Sequence, residues 1–91
     1  MDVTHYFVNG SLVPVDDARI SVLDHGFTVA DGVFETLQIL NGNVFALQPH
    51  LDRLKRSADG LGITCPDVST VGAAVEQTLA GNPPIEFGRL R

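Results

Sequence analysis

Two short apolar runs open the chain, Tyr6-Phe-Val8 and Leu12-Val-Pro-Val15, separated by Asn9-Gly10. Asn-Gly takes positive φ readily, so the pair predicts a β-hairpin closed by a type I′ turn. Pro14 has no N–H to give to a ladder, which makes its strand an edge or an irregular one. Asp16, Asp17 and Arg19 lead into Ile20-Ser-Val-Leu23, a short apolar piece that fits neither helix nor strand periodicity. Asp24-His-Gly26 and Ala30-Asp-Gly32 are turn signals bracketing Phe27-Thr-Val29. A second hairpin is predicted from Val33 to Leu40, turning at Asn41-Gly42 and returning through Val44-Phe-Ala-Leu47. On its first strand Val33, Leu37 and Ile39 share a face with Glu35, while Phe34, Thr36, Gln38 and Leu40 share the other. That pattern predicts a sheet covered on one side and lining a cleft on the other.

The period then lengthens. Pro49 opens a helix, where its missing N–H costs nothing, and Leu51, Leu54, Ala58 and Leu61 form a buried stripe ended by Gly60 or Gly62. Pro66-Asp67 starts a second helix running to Ala80, with Val71, Ala74, Val75 and Leu79 inward and Gly81 as the stop. Asn82-Pro-Pro84 is a rigid loop, and Ile85 to Arg91 begins a strand. The order strand, strand, helix, helix, strand predicts a small α+β domain of antiparallel hairpins and two helices over residues 1–91. A chain that stops just after a strand has begun is expected to be the opening part of something longer.

Composition narrows the class. A chain of 91 residues buries only about 60–65% of its unfolded surface, so one core of this size gains from a partner. A net charge of −5 with six Lys+Arg disfavours nucleic-acid binding, which requires clustered cations. The single cysteine, Cys65, excludes an internal disulfide. His5, His25 and His50 show no metal-ligand spacing. No leader-like segment or membrane-length apolar run is present, and the cytoplasm is the expected location.

Candidate chemistry concentrates on the first helix. Lys55 and Arg56 each have Asp52 and Asp59 at helical spacing, which gives both a solvated, ion-paired role. Arg53 has Pro49, His50, Arg56 and Ser57 at those spacings and no acid. Such an arginine near a helix start is either solvated or available to clamp a phosphate bidentately. His50 has no acid at the same spacings to pair with and reads as structural. Glu35 shares a face with apolar residues, so it needs a hydrogen-bonded partner or an edge position. Phe34 reads as either core packing or a pocket wall.

Read together, Asp24-His-Gly-Phe-Thr-Val-Ala-Asp-Gly-Val-Phe-Glu-Thr36, Asn41-Gly42 and His50-Leu-Asp-Arg-Leu54 resemble the N-terminal signature of the class IV aminotransferases. The resemblance covers residues 6–64 and departs from the family pattern at Ala30, where the family usually has glycine. It implies the small N-terminal domain of a two-domain, fold-type IV enzyme that uses pyridoxal 5′-phosphate. The enzymes of the family are usually homodimers, and their substrates are amino acids and 2-oxo acids. It implies that Arg53 anchors the cofactor phosphate and that Phe34 borders the substrate pocket. Arg91 falls near a position that faces the substrate carboxylate. It also implies that no catalytic residue lies in this segment, because the Schiff-base lysine is expected beyond Arg91. Lys55, the only lysine, sits between two aspartates that hold it charged. Phenylalanine rather than tyrosine at position 34 leans away from the D-amino-acid enzymes. Phe34-Glu35-Thr36 leans from the branched-chain enzymes toward the lyase and amine-transaminase branches, which makes 4-amino-4-deoxychorismate lyase the alternative activity. The rival of another class is a standalone binding module without cofactor, which predicts a stable monomer lacking exposed apolar surface.

Overall fold

The computed structural model describes residues 2–91. Strands β1 (His5–Val8) and β2 (Ser11–Pro14) form the first hairpin, in the register His5 with Pro14 through Val8 with Ser11. Asn9 at φ 50° and Gly10 at φ 88° supply the paired positive φ of the expected turn. A one-turn 3-10 helix, Val15–Asp17, follows, and then a short helix α1 (His25–Thr28). Strands β3 (Leu37–Leu40) and β4 (Asn43–Val44) form the second hairpin around Asn41 at φ 52° and Gly42 at φ 78°. Helices α2 (Leu47–Leu61) and α3 (Val68–Ala80) come next, then β5 (Phe87–Leu90), antiparallel to the free edge of β3. The result is the expected α+β fold, a two-stranded hairpin and a three-stranded sheet ordered β4-β3-β5.

Four local expectations change. Val33–Thr36 carries no ladder among the described residues: β3 begins at Leu37, opposite Leu90. The return strand is only Asn43–Val44. Phe45 still donates its N–H to the Gln38 carbonyl at 2.8 Å, but Ala46 then adopts a left-handed conformation, φ 55° and ψ 42°, which swings the chain off the sheet. Helix α2 therefore starts at Leu47, and Pro49 occupies its first turn instead of opening it. Between the two turn signals, Phe27 and Thr28 belong to α1, whose entry is capped by the Asp24 carboxylate on the Gly26 N–H at 2.9 Å. Leu61 lies on the exposed side of α2, leaving Leu51 and Ala58 as its buried stripe and Leu54 half-buried.

The ends of α2 and α3 follow from backbone chemistry. Gly62, at φ 70°, donates to the Asp59 carbonyl at 3.2 Å while Ile63 donates to that of Ala58 at 2.9 Å, the crossed pair of a Schellman cap. Helix α3 opens after Asp67 and stops at Gly81, where a Cβ would overlap the Leu12 side chain of the first hairpin.

The core is small: Leu37 and Ile39 from β3, Leu51 and Ala58 from α2, and Val75 from α3. The period of two on β3 holds, with Leu37 and Ile39 buried and Gln38 exposed, so the helices cover one face of the sheet. The other face is open, with Thr36, Gln38, Phe87 and Arg89 around a shallow depression. A second tie holds the first hairpin to the helices. Asn82 accepts from the Thr4 N–H at 2.9 Å, the His5 N–H at 3.0 Å and the Thr4 hydroxyl at 3.4 Å. It donates to the His5 carbonyl at 3.1 Å and the Thr78 carbonyl at 2.7 Å. By contrast Ile20, Val22, Leu23, Phe27 and Val29 remain 62–79% exposed. No helix among the described residues is long and apolar enough to cross a membrane.

Replacing Asn82 by alanine strands backbone donors of β1 and the Thr78 carbonyl together. It is expected to cost about 2 kcal/mol, measurable as a shift of the urea midpoint of the protein.

Candidate functional site

The chain between α1 and β3 carries the site, and its shape begins at His25. The His25 carbonyl accepts from Val29 at 2.9 Å and Asp31 at 3.1 Å, winding residues 25–31 into a tight loop. Ala30 stands at φ 57° within it. The left-handed geometry that suits glycine is thus kept although the residue has changed, and alanine bears the cost of its Cβ there. The loop delivers Phe34 and Glu35 to the end of β3.

Glu35 is the centre. Its side chain is 9% exposed. Oε1 accepts from His50 Nδ1 at 2.6 Å and from Arg53 Nη2 at 2.7 Å, and Arg53 Nε reaches both Oε1 and Oε2 at 3.0 Å. The carboxylate on the apolar face of the β3 segment therefore has the partners its position demands, and both come from α2. His50 and Arg53 lie one turn apart and so project from the same side of the helix. Because Glu35 is an acceptor, His50 must present Nδ1–H to it. That settles the tautomer and means the 3.5 Å approach of Arg53 Nη2 to the same nitrogen is a contact without a shared proton. The Arg53 bonds first, and then the His50 bond, hold the Glu35 carboxyl at about 2 instead of 4.5. The same pairing raises Arg53 above its already high ordinary value.

Arg53 is not free of acids, as its helical neighbours suggest: its partner stands 18 residues back. The engagement is one-sided. Glu35 takes the Nε and one Nη2 hydrogen, leaving three N–H bonds of the guanidinium, both on Nη1 among them, without an acceptor among the described residues, and the side chain is 59% exposed.

Phe34 and Arg91 meet. The Arg91 guanidinium carbon lies 4.2 Å from the centre of the Phe34 ring, a cation–π contact worth about 0.5–1 kcal/mol at an exposed site. Phe34 is 62% exposed, which removes it from the core and leaves it as a wall. Phe34, Glu35 and Arg91 share an open cleft of 410 Å³ with Tyr6, Leu37 and Val75 at its sides. Of the three residues singled out in the sequence, Phe34 and Arg91 meet in this cleft, whereas Arg53 does not line it and is connected to it only by its bonds to Glu35.

Lys55 lies elsewhere, donating to Asp59 at 3.0 Å, which raises its pKa above the ordinary lysine range; Asp52 is taken by Gln48 at 2.9 Å instead. An amine held charged in this way is a poor nucleophile. The sequence marks His50 as structural and Glu35 as a carboxylate in need of a partner, without pairing the two. The signal that finds them is the carboxylate on an apolar strand face, which requires a donor from another element.

The small α+β domain thus carries an apolar-lined cleft with Arg91 stacked on Phe34, and a guanidinium on α2 braced on one edge by a carboxylate that also lines that cleft. Comparison with known proteins agrees with the class suggested by the sequence. The amino-transferase class IV family matches residues 32–91. A putative branched-chain-amino-acid aminotransferase of Methanocaldococcus jannaschii is 47% identical over 60 residues, 66% of this chain and 21% of that protein. A probable branched-chain-amino-acid aminotransferase of Rickettsia felis is 45% identical over 62 residues, 68% of this chain and 21% of its own. A D-alanine aminotransferase of Staphylococcus epidermidis is 34% identical over 61 residues, 67% of this chain and 22% of its own. The chain belongs to the class IV aminotransferase family. Its match spans about a fifth of the length of these relatives.

Two outcomes are expected. Ala30→Gly relieves the left-handed alanine and should raise stability by roughly 0.5 kcal/mol after glycine's own entropic cost, read by chemical denaturation. Glu35 has a folded pKa below its unfolded one, so its contribution is complete above pH 4.5 and is lost as pH falls toward about 2. Thermal unfolding from pH 6 to 2 should show the wild type losing stability relative to E35Q across that window; parallel curves would show that the carboxylate carries no linkage.

Proposed function

We propose that this chain is the small N-terminal domain of a pyridoxal-5′-phosphate-dependent aminotransferase that moves an amino group between an amino acid and a 2-oxo acid. The observation that carries the reading is Arg53: an arginine braced by Glu35 with three donors still open, in a chain of this family. Those donors fit the phosphate end of the cofactor, which planar guanidinium groups bind in pairs of hydrogen bonds.

In this reading Arg53 holds the phosphate, and Phe34 with Arg91 forms the substrate wall, Arg91 offering its charge to a carboxylate. The cofactor, when bound, supplies the electron sink. The residues of this chain bind, orient and exclude water. The imine-forming lysine lies outside residues 1–91, since Lys55, the only lysine here, is ion-paired with Asp59.

The exposed apolar run Ile20–Val29 supports burial against more protein, either the remainder of a longer chain or a second copy in a homodimer, and counts against a self-sufficient binding module. The transaminase names of the quoted relatives support transamination. Thr36 after Phe34-Glu35 is the one feature that favours the lyase. Pyruvate released from 4-amino-4-deoxychorismate without consumption of a 2-oxo acid would establish that activity instead.

Borohydride reduction of the complete gene product with pyridoxal phosphate, followed by peptide mapping, should place one phosphopyridoxyl group on a lysine outside residues 1–91. A stoichiometric adduct on Lys55, or no adduct anywhere, would overturn the reading.

A further inference from the structure

Glu35 engages Arg53 through a single edge of the guanidinium, Nε at 3.0 Å and Nη2 at 2.7 Å, so the opposite edge is the one left facing outward. The carboxylate is itself immobilised. It is nearly buried, and it accepts from His50 at 2.6 Å in addition to Arg53. We infer that Glu35, backed by His50, is a positioning residue for phosphate recognition, fixing the plane of the Arg53 guanidinium so that its outer edge meets a phosphate monoester already oriented. The inference rests on the reading of Arg53 as the phosphate anchor.

The sign of the effect is what makes it distinctive. A carboxylate beside an arginine subtracts positive charge, so by Coulomb's law alone Glu35 weakens the attraction for a phosphate dianion. Its benefit is preorganisation. An arginine is long and rich in rotamers, and a ligand that must order it first binds less tightly. With one edge fixed by two hydrogen bonds, that ordering is complete before the ligand arrives. A competing carboxylate and a positioning one therefore predict opposite results when the charge is removed.

The test is the affinity of the full-length protein for pyridoxal 5′-phosphate relative to pyridoxal, by spectroscopic titration at neutral pH. The ratio isolates the phosphate and cancels effects common to both ligands. E35Q should reduce the preference for the phosphorylated ligand about tenfold, the lower end of what losing an outer supporting partner costs a site. E35D, which keeps the charge but withdraws it by one methylene, should reduce it less. In an R53A background neither change should alter the ratio further. An unchanged or increased preference in E35Q or E35D, or an equal loss with and without Arg53, would overturn the inference. If R53A alone leaves the preference intact, the phosphate role of Arg53 fails and this inference with it. If R53A abolishes the preference while the Glu35 variants retain it, only this inference fails.

Discussion

One carboxylate connects the parts of this domain that matter to chemistry. Glu35 sits on the inward face of the segment entering β3, where apolar neighbours would make an unpaired charge costly. It is satisfied only because α2 brings His50 and Arg53 to it on a single helical face. The geometry runs in both directions. The segment entering β3 supplies the acid that orders Arg53, and α2 supplies the donors that let the acid stay nearly buried beside the preceding residue, Phe34. Because Phe34 alternates with Glu35, burying the acid sends the ring to the rim of the cleft, where Arg91 stacks on it.

The rest of the structure is lightly built around that connection. Five of the described residues form the core, and Asn82 supplies by hydrogen bonding much of what a larger core would supply by burial in joining the first hairpin to α3. A site whose arginine is ordered by an ion pair is less dependent on the rigidity of so small a scaffold. The exposed apolar loop between the first hairpin and β3 then reads as surface awaiting more protein, in keeping with a match to a fifth of its relatives' length.

Much of this was legible in the residues. Both Asn-Gly turns, the bounds of α3, the glycine end of α2 and the α+β order follow from turn chemistry and period, which are local properties. What local reasoning missed has a common cause. Helical spacing finds partners three and four residues away, so it paired Lys55 correctly with Asp59 yet left Arg53 and His50 alone, because their acid stands on a different element 18 and 15 residues away. The start of α2 was misplaced because left-handed Ala46 carries no sequence signal; asparagine or glycine would have announced it. The family resemblance singles out Arg53, Phe34 and Arg91; the structure stacks Arg91 on Phe34 and braces Arg53 on Glu35.

The central claim is that Glu35 holds one edge of Arg53 and leaves the other for phosphate. Nitrogen-15 NMR of the arginine side chains in the full-length protein addresses it directly, with the Arg53 signals assigned by loss in an R53K variant. The Arg53 Nε–H should exchange slowly at neutral pH and barely move on addition of pyridoxal phosphate, while the Nη signals shift. An Nε–H that exchanges as fast as those of solvated arginines, or that moves as far as Nη when the cofactor is added, would contradict it.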